Sequence, residues 1–281
     1  MICSYTQTYS DNRVELCEFH NKDSSDIRFR NKLDNNYFVF HNSSDTYMNT
    51  VCEFKYFQNI EKKTILSYNN ISYTQSLYRT FQRMKDDGYK YVVFLQDDVF
   101  STADDGIIDK LVDYIRHNSF DMLNLEYSAI NPAAPIIYSS GNLQIYNSTS
   151  EDFKLKKLWP FDDGPYVAGI DFIMNTLFDY THLSKNDIWT AEFYIRDKVD
   201  RKPIQRLTTN YIIFKRFDIV GPNAWNRDVN RSTLVHNLFE CKLSTTIGSW
   251  MYKNGLVKII SNNFVSWPIY GVARHSIHNP R

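Results

Sequence analysis

Long apolar runs, clustered charge, closely spaced cysteines and glycine-rich loops are all scarce in this sequence, and each absence removes a class of function. No apolar stretch approaches the ~20 residues that a membrane-spanning helix needs. The opening Met1-Ile2-Cys3-Ser4-Tyr5 has no basic segment followed by an apolar one, so no secretory signal is expected. Lys and Arg number 32 against 32 Asp and Glu, with no block of like charge. A chain that neutralises a phosphate backbone carries a basic excess, so nucleic acid is not the expected partner. Cys3, Cys17, Cys52 and Cys241 include no C-x-x-C pair of the kind a structural zinc site prefers. Four thiols in 281 residues fit a reducing compartment, and the expectation is a soluble, cytoplasmic protein. Cys3-Ser4-Tyr5-Thr6-Gln7-Thr8 contains no glycine, which excludes a glycine-rich triphosphate loop there, and no Walker P-loop is present. The seven histidines form no H-E-x-x-H pattern. The sequons at Asn42, Asn70, Asn147 and Asn230 are read as accidents of an Asn-rich chain.

What is present is enough apolar material for one large domain: 43% hydrophobic residues, 16% of the chain being aromatic. Short apolar runs alternate with helical periodicity. Ile2 to Thr6, Tyr37 to Phe40 and Lys63 to Tyr68 read as strands. Thr74 to Asp87 carries Leu77, Tyr78, Phe81 and Met84 at helical spacing and stops at Gly88. Tyr91-Val92-Val93-Phe94-Leu95 is an unbroken apolar run, the pattern of a central parallel strand covered on both faces. A helix over Asp105 to Asn118 and a strand over Phe120 to Leu125 follow. Further on, Tyr166 to Asp179 reads as strand into helix, Thr190 to Val199 as helix and Tyr211 to Phe214 as strand. Loops are expected at 131–135, 141–142 and 159–165. A Gly-Pro turn falls at 221–222, and a helix is expected within Ser232 to Cys241. Strand–helix–strand alternation of this length predicts right-handed crossovers and a doubly wound α/β fold.

The informative stretch is Val92-Val93-Phe94-Leu95-Gln96-Asp97-Asp98-Val99. Ligands of open parallel sheets bind where strands end. Two adjacent carboxylates in that place repel unless a cation neutralises them. A divalent ion held by carboxylate and phosphate oxygens does so. Two acids after a strand also serve as a solvated turn or a helix N-cap.

This stretch resembles the GT-A glycosyltransferases, in which an aspartate-rich D-x-D motif ends a central strand and binds the metal of a nucleotide-sugar. Family-2 members carry an A-R-N helix, a glycine, then Y-I-x-F-L-D-x-D. Here the chain has Tyr78-Arg79-Thr80, Gly88, then Tyr91-Val92-Val93-Phe94-Leu95-Gln96-Asp97-Asp98. Asp98 matches the metal-binding acid, Gln96 replaces the first acid, and Arg79 matches a family arginine loosely. Downstream, Gly169 to Asn175 and then Glu192-Phe193-Tyr194-Ile195-Arg196 are similar to the family's glycine segment and acidic E-D site, with Phe193 at the second acid. The resemblance covers roughly residues 1–200.

It implies a GT-A (Rossmann-like) fold, a mixed, mostly parallel sheet flanked by helices in a single domain. Residues 1–105 would bind the nucleotide-sugar, 106–220 the acceptor, and 221–281 would form a C-terminal lid. The implied activity is metal-dependent transfer of a sugar from a UDP- or GDP-linked donor to a glycan or other hydroxyl acceptor, with inversion. Mn²⁺ or Mg²⁺ is the implied cofactor, with Asp98 and His236 as ligands. Glu192 is the implied general base, although a surface ion pair with Arg196 accounts equally well for that residue. Thr6, Thr8, Arg13, Asn42, Asn70, Arg79, Gln96 and Asp97 are candidates for the nucleotide-sugar, and Asp163 and Asp171 for the acceptor. Taken singly, each of the loop candidates Thr6, Thr8, Arg13, Asn42 and Asn70 is more simply read as a turn residue. Two other readings stay open: an inactive glycan-binding module, which Gln96 and Phe193 would fit, and a sugar nucleotidyltransferase, against which the glycine-free opening stands.

Overall fold

Strand β1 (Ile2–Tyr9) is the axis about which the sheet is arranged. The computed structural model describes residues 1–9, 24–96, 99–101, 103–128, 131, 133–149, 151–152, 165–177, 206–216, 238–242, 258–261 and 264–271. β2 (Asn35–His41) lies parallel to β1 on one side and β4 (Tyr91–Gln96) parallel on the other, with Tyr5 level with both Tyr37 and Phe94. β3 (Thr64–Tyr68) closes the β2 side. Beyond β4, the antiparallel β9 (Tyr166–Gly169) separates it from β6 (Met122–Ser128). Next come β10 (Arg206–Thr209), parallel to β6, and the hairpin of β8 (Leu143–Ser148) and β7 (Ile136–Ser140). The nine-stranded order is β3-β2-β1-β4-β9-β6-β10-β8-β7, in which only β8 and β9 oppose the common direction. This is the mixed, mostly parallel α/β sheet the sequence predicts. A two-stranded pair, β5 (Val99–Ser101) with β11 (Phe214–Arg216), follows β4. β12 (Leu238–Lys242), β13 (Lys258–Ser261) and β14 (Phe264–Gly271) form a separate three-stranded sheet.

Helices cover both faces because successive strand residues point to opposite sides. α1 (Ser24–Asn31) and α5 (Asp105–His117) pack on the face carrying Ile2, Val93, Leu95, Leu123 and Leu207. α2 (Asp45–Glu53) and the short α3 (Lys55–Gln58) cover Phe38 and Phe40. α4 (Tyr73–Asp86) covers Tyr5, Tyr37, Val39, Val92 and Phe94 with Tyr73, Leu77, Phe81 and Met84. The start of α4 is set by a capping box: Ser72 Oγ accepts from Gln75 N at 3.2 Å, and Gln75 Oε1 accepts from Ser72 N. Its end is Gly88, at φ +83°, a left-handed position that a β-carbon disfavours. α6 (Ile170–Phe172) and a π-helical turn (Ile173–Leu177) follow β9.

Several expectations are corrected. β4 is parallel to β1 alone, since its other neighbour is antiparallel. The strand expected over 211–214 is replaced by β10 and β11, with Tyr211 at an exposed turn between them. β10 is an Arg-Leu-Thr-Thr segment buried along its length by β6 and β8, so tertiary pairing outweighs its polar composition. The hairpin β7–β8 was not anticipated; it turns at Gly141, φ +55°. Where the end of a helix is expected, Leu238 to Lys242 form β12, paired with β14. The expected helix over 190–199 and turn at 221–222 lie outside the described residues, as does nearly all of the 159–165 loop. No helix among the described residues is long and apolar enough to cross a membrane.

One polar cluster fastens α1 to the sheet. Arg30, 1% exposed, donates from Nε to Asp26 Oδ2 at 2.8 Å and from Nη1 to Thr6 Oγ1 at 2.7 Å and Ser4 Oγ at 3.3 Å. Tyr56 Oη donates to the same Asp26 oxygen at 2.5 Å. Removing one partner of a buried pair strands the other's charge. Arg30→Met is therefore expected to lower unfolding free energy by about 3–5 kcal/mol in urea titrations. Ser72→Ala, which loses the α4 cap, should cost about 1 kcal/mol in the same measurement.

Candidate functional site

The strand order reverses between β1 and β4: β1, β2 and β3 proceed in one direction, and β4 is laid on the opposite side of β1. Loops leaving two such strands diverge to opposite faces, opening a crevice at their C-terminal ends. Gln7 and Gln96 are register partners at that point. Both lie on the α4 face, two residues beyond a row of buried aromatic rings. Tyr5 stacks on Phe94 at 5.0 Å and Phe94 on Tyr166 at 4.9 Å. Gln7 is 5% exposed, and its Oε1 accepts from Tyr5 Oη at 2.9 Å, whereas its Nε2 has no hydrogen-bond partner. Gln96 is half-buried at the last position of β4.

Around this pair the same edge gathers further polar groups. His41, level with Tyr9 and Tyr68, ends β2; it is buried, and its Nε2 donates to the Ile71 carbonyl at 2.9 Å just before α4 begins. Burial holds the His41 pKa below the ordinary imidazole value, and the bond to Ile71 offsets part of that shift. The N-terminus of α4 opens at this edge and brings the positive end of a 14-residue helix to it. Across β9, Glu126 near the end of β6 is 7% exposed, and its backbone N–H donates to Asn124 Oδ1 at 2.9 Å. β6 breaks register with β10 after Asn124, so Glu126 sits in the irregular end of the strand, at the same edge as Gln96.

The residues singled out from sequence divide into three groups. Gln96 and Thr8 are at the edge, Thr8 buried on the α1 face. Asn42 and Asn70 are also there, side by side: both are exposed and left-handed, at φ 52° and 60°, and Asn70 N donates to Asn42 Oδ1 at 3.1 Å. Three others are not brought to the site. Thr6 points to the α1 face, where its hydroxyl is engaged by Arg30. Arg79 is exposed on α4, about 9 Å along the axis from the helix start. Asp171 sits in α6 at the opposite edge, paired with Lys85 at 2.7 Å and separated from Gln96 by the length of β4, roughly 20 Å. Arg13, Asp97, Asp98, Asp163, Glu192 and His236 lie outside the described residues. Among the described residues, no group of three or more His, Cys, Asp or Glu side chains is placed to hold a metal ion.

Gln7, His41 and Glu126 are the site residues that sequence reading passed over. Glu126 had the same signal as Asp97 and Asp98, an acid at the end of an apolar strand. Gln7 and His41 had only polarity inside otherwise packed strands. At the opposite edge, a groove of about 430 Å³ is lined by Lys32, Asp34, Lys62, Asp109, Asp113 and Arg116. Lys32 pairs with Asp109, and Arg116 with Asp34 at 3.8 Å.

The depressed His41 pKa sets a pH dependence. The unfolded imidazole takes up a proton as pH falls through about 6.5, while the folded one resists, so the unfolded state binds more protons and gains stability. Unfolding free energy is expected to be level above that pH and to decline below it. His41→Gln should flatten the decline between pH 7 and 5 in chemical denaturation.

No protein-family model matches the chain, and no curated protein sequence matches it. Among solved structures it is similar to S. aureus TarS, residues 1–349, at 10% identity and a TM-score of 0.48, over 77% of this chain and 60% of that one. It is similar to the mannosyltransferase PcManGT from Pyrobaculum calidifontis, solved with GDP-Man and Mn²⁺, at 11% identity and 0.49, over 80% and 59%. A mycobacterial protein aligns at 10% identity and 0.46, over 100% and 89%. The chain thus spans about three fifths of the length of the first two. By its strand order and layers, the chain has a mixed, mostly parallel α/β fold.

Proposed function

We propose that the chain is a metal-dependent glycosyltransferase that moves a sugar from a UDP- or GDP-linked donor to a glycan or other hydroxyl acceptor. One observation carries this reading: Gln96, from which Asp97 and Asp98 follow directly in sequence, ends the strand that borders the crevice where the strand order reverses. A nucleoside diphosphate brings negative charge to such a crevice, and the N-terminus of α4 favours it there. In this reading residues 1–105 hold the donor, residues 106–220 meet the acceptor, and residues 221–281 close over both.

The donor set fits a hard divalent cation. Two carboxylates after Gln96, with a buried carboxylate at Glu126 on the same edge, are oxygen ligands suited to Mn²⁺ or Mg²⁺ rather than to a soft metal. Asp98, with His236 as a further ligand, would hold the ion, which supplies charge neutralisation for the departing diphosphate. Asp97, Gln96, Thr8, Arg13, Asn42 and Asn70 would orient the nucleotide-sugar. Asp163 is assigned to the acceptor side. Glu192 accepts the proton of the acceptor hydroxyl as its oxygen attacks the anomeric carbon from the face opposite the diphosphate, giving inversion.

Incubation with UDP- and GDP-sugars and Mn²⁺ tests this directly. Slow hydrolysis of one donor is expected, together with a metal-dependent rise in melting temperature. Asp98→Ala should abolish both, and Glu192→Gln should lower turnover by roughly 10²–10⁴-fold while leaving donor affinity in place. Turnover and stabilisation that persist in Asp98→Ala would remove the assignment.

A further inference from the structure

We infer that the Gln7 carboxamide is a ligand-reading group, one that donates its Nε2–H to an acceptor oxygen of the nucleoside diphosphate. This rests on the site reading proposed above and extends it to a residue for which sequence offered no role. The observation is an incomplete hydrogen-bond inventory. Gln7 is 5% exposed, its oxygen is taken by the Tyr5 hydroxyl at 2.9 Å, and its Nε2 is buried with no partner. Interiors rarely leave such a donor unmatched, because an unmade bond forfeits hydration without compensation.

The placement says why the cost is kept. Gln7 is level with Gln96, the last residue of β4, while β1 continues two residues further to Tyr9. Gln7 therefore stands where the neighbouring strand stops, at the strand edge to which the site reading assigns the nucleotide. The Tyr5 hydroxyl fixes one end of the amide, so the other end is held ready rather than free to rotate. Tyr5 itself is immobilised between Phe94, at 5.0 Å, and Phe81, at 5.5 Å. An N–H donor preset in this way selects an acceptor-rich group, a nucleobase carbonyl or a phosphate oxygen.

A purely structural glutamine and a ligand-reading one respond oppositely to loss of the amide. Gln7→Met keeps the length and removes the unmatched donor, and Gln7→Leu is a second variant of similar volume. The ligand-reading role predicts an unliganded melting temperature equal to or above that of the wild type, with affinity for UDP or GDP reduced about tenfold or more. Isothermal titration with UDP, GDP, uridine, guanosine and pyrophosphate, each with Mn²⁺, reads the affinities. Loss confined to ligands that carry the base assigns the bond to a carbonyl, and loss shared by pyrophosphate assigns it to a phosphate oxygen; both support the inference. Unchanged affinities in a wild-type background that binds nucleotide overturn it and leave the site reading standing. A melting temperature lowered in both variants, with unchanged affinity in the remaining folded protein, also overturns it. A wild-type chain that binds none of the five overturns both.

Discussion

The Arg30 guanidinium, enclosed between α1 and β1, is the interaction on which the N-terminal part of the sheet depends. β1 has buried polar residues on the α1 face, Ser4, Thr6 and Thr8. An apolar helix laid on this face would leave the Thr6 hydroxyl without Arg30 and the Ser4 hydroxyl with its bond to Asn36 alone. Arg30 meets two of them, and Asp26, itself bound by Tyr56, balances the charge. The guanidinium also lies 5.4 Å from the centre of the Phe38 ring, tying β2 into the same arrangement. The cluster is costly to desolvate, and it specifies how α1 seats on the sheet.

That seating leaves the other face of β1 to α4 and to the site. Tyr5, Phe94 and Tyr166 form a rigid aromatic row across β1, β4 and β9. The polar groups Gln7 and Gln96 stand one pleat further toward the C-terminal edge. A stiff apolar layer directly beneath a polar rim holds the rim's side chains in place. His41 contributes in a similar way, since its bond to Ile71 holds the segment from which α4 starts.

Much of this was legible in residue order. The five-residue apolar run at Tyr91 to Leu95 could be covered on both faces only inside a sheet, and it lies there, fourth of nine strands. The apolar spacing of α4, with Gly88 at its end, and of α5 declared those helices, because a helix stripe repeats within a single local segment. Of the candidate site residues, Gln96 ends β4, and Asn42 and Asn70 are neighbours at the same edge. Thr6 misled because it lies inside β1 rather than at its end, and its hydroxyl is engaged by Arg30. Asp171 misled because β9 runs backward and delivers α6 to the far edge.

Sequence alone therefore determined the elements whose signal is local: the periodicity of α4 and α5, the glycine stop of α4, the apolar run of β4, and the absence of a charge surplus for nucleic acid. Tertiary structure decided what depends on partners distant in the chain. β9, only four residues long, takes its direction and its place from β4 and β6, which precede it by some forty residues or more. β10 is a polar segment made into a strand by β6 and β8. The pairing of Gln7 with Gln96, 89 positions apart, exists only because β1 and β4 were brought together. Periodicity along a chain records which face a residue prefers, whereas which residues share an edge is fixed by pairings whose energy appears only when the sheet is assembled.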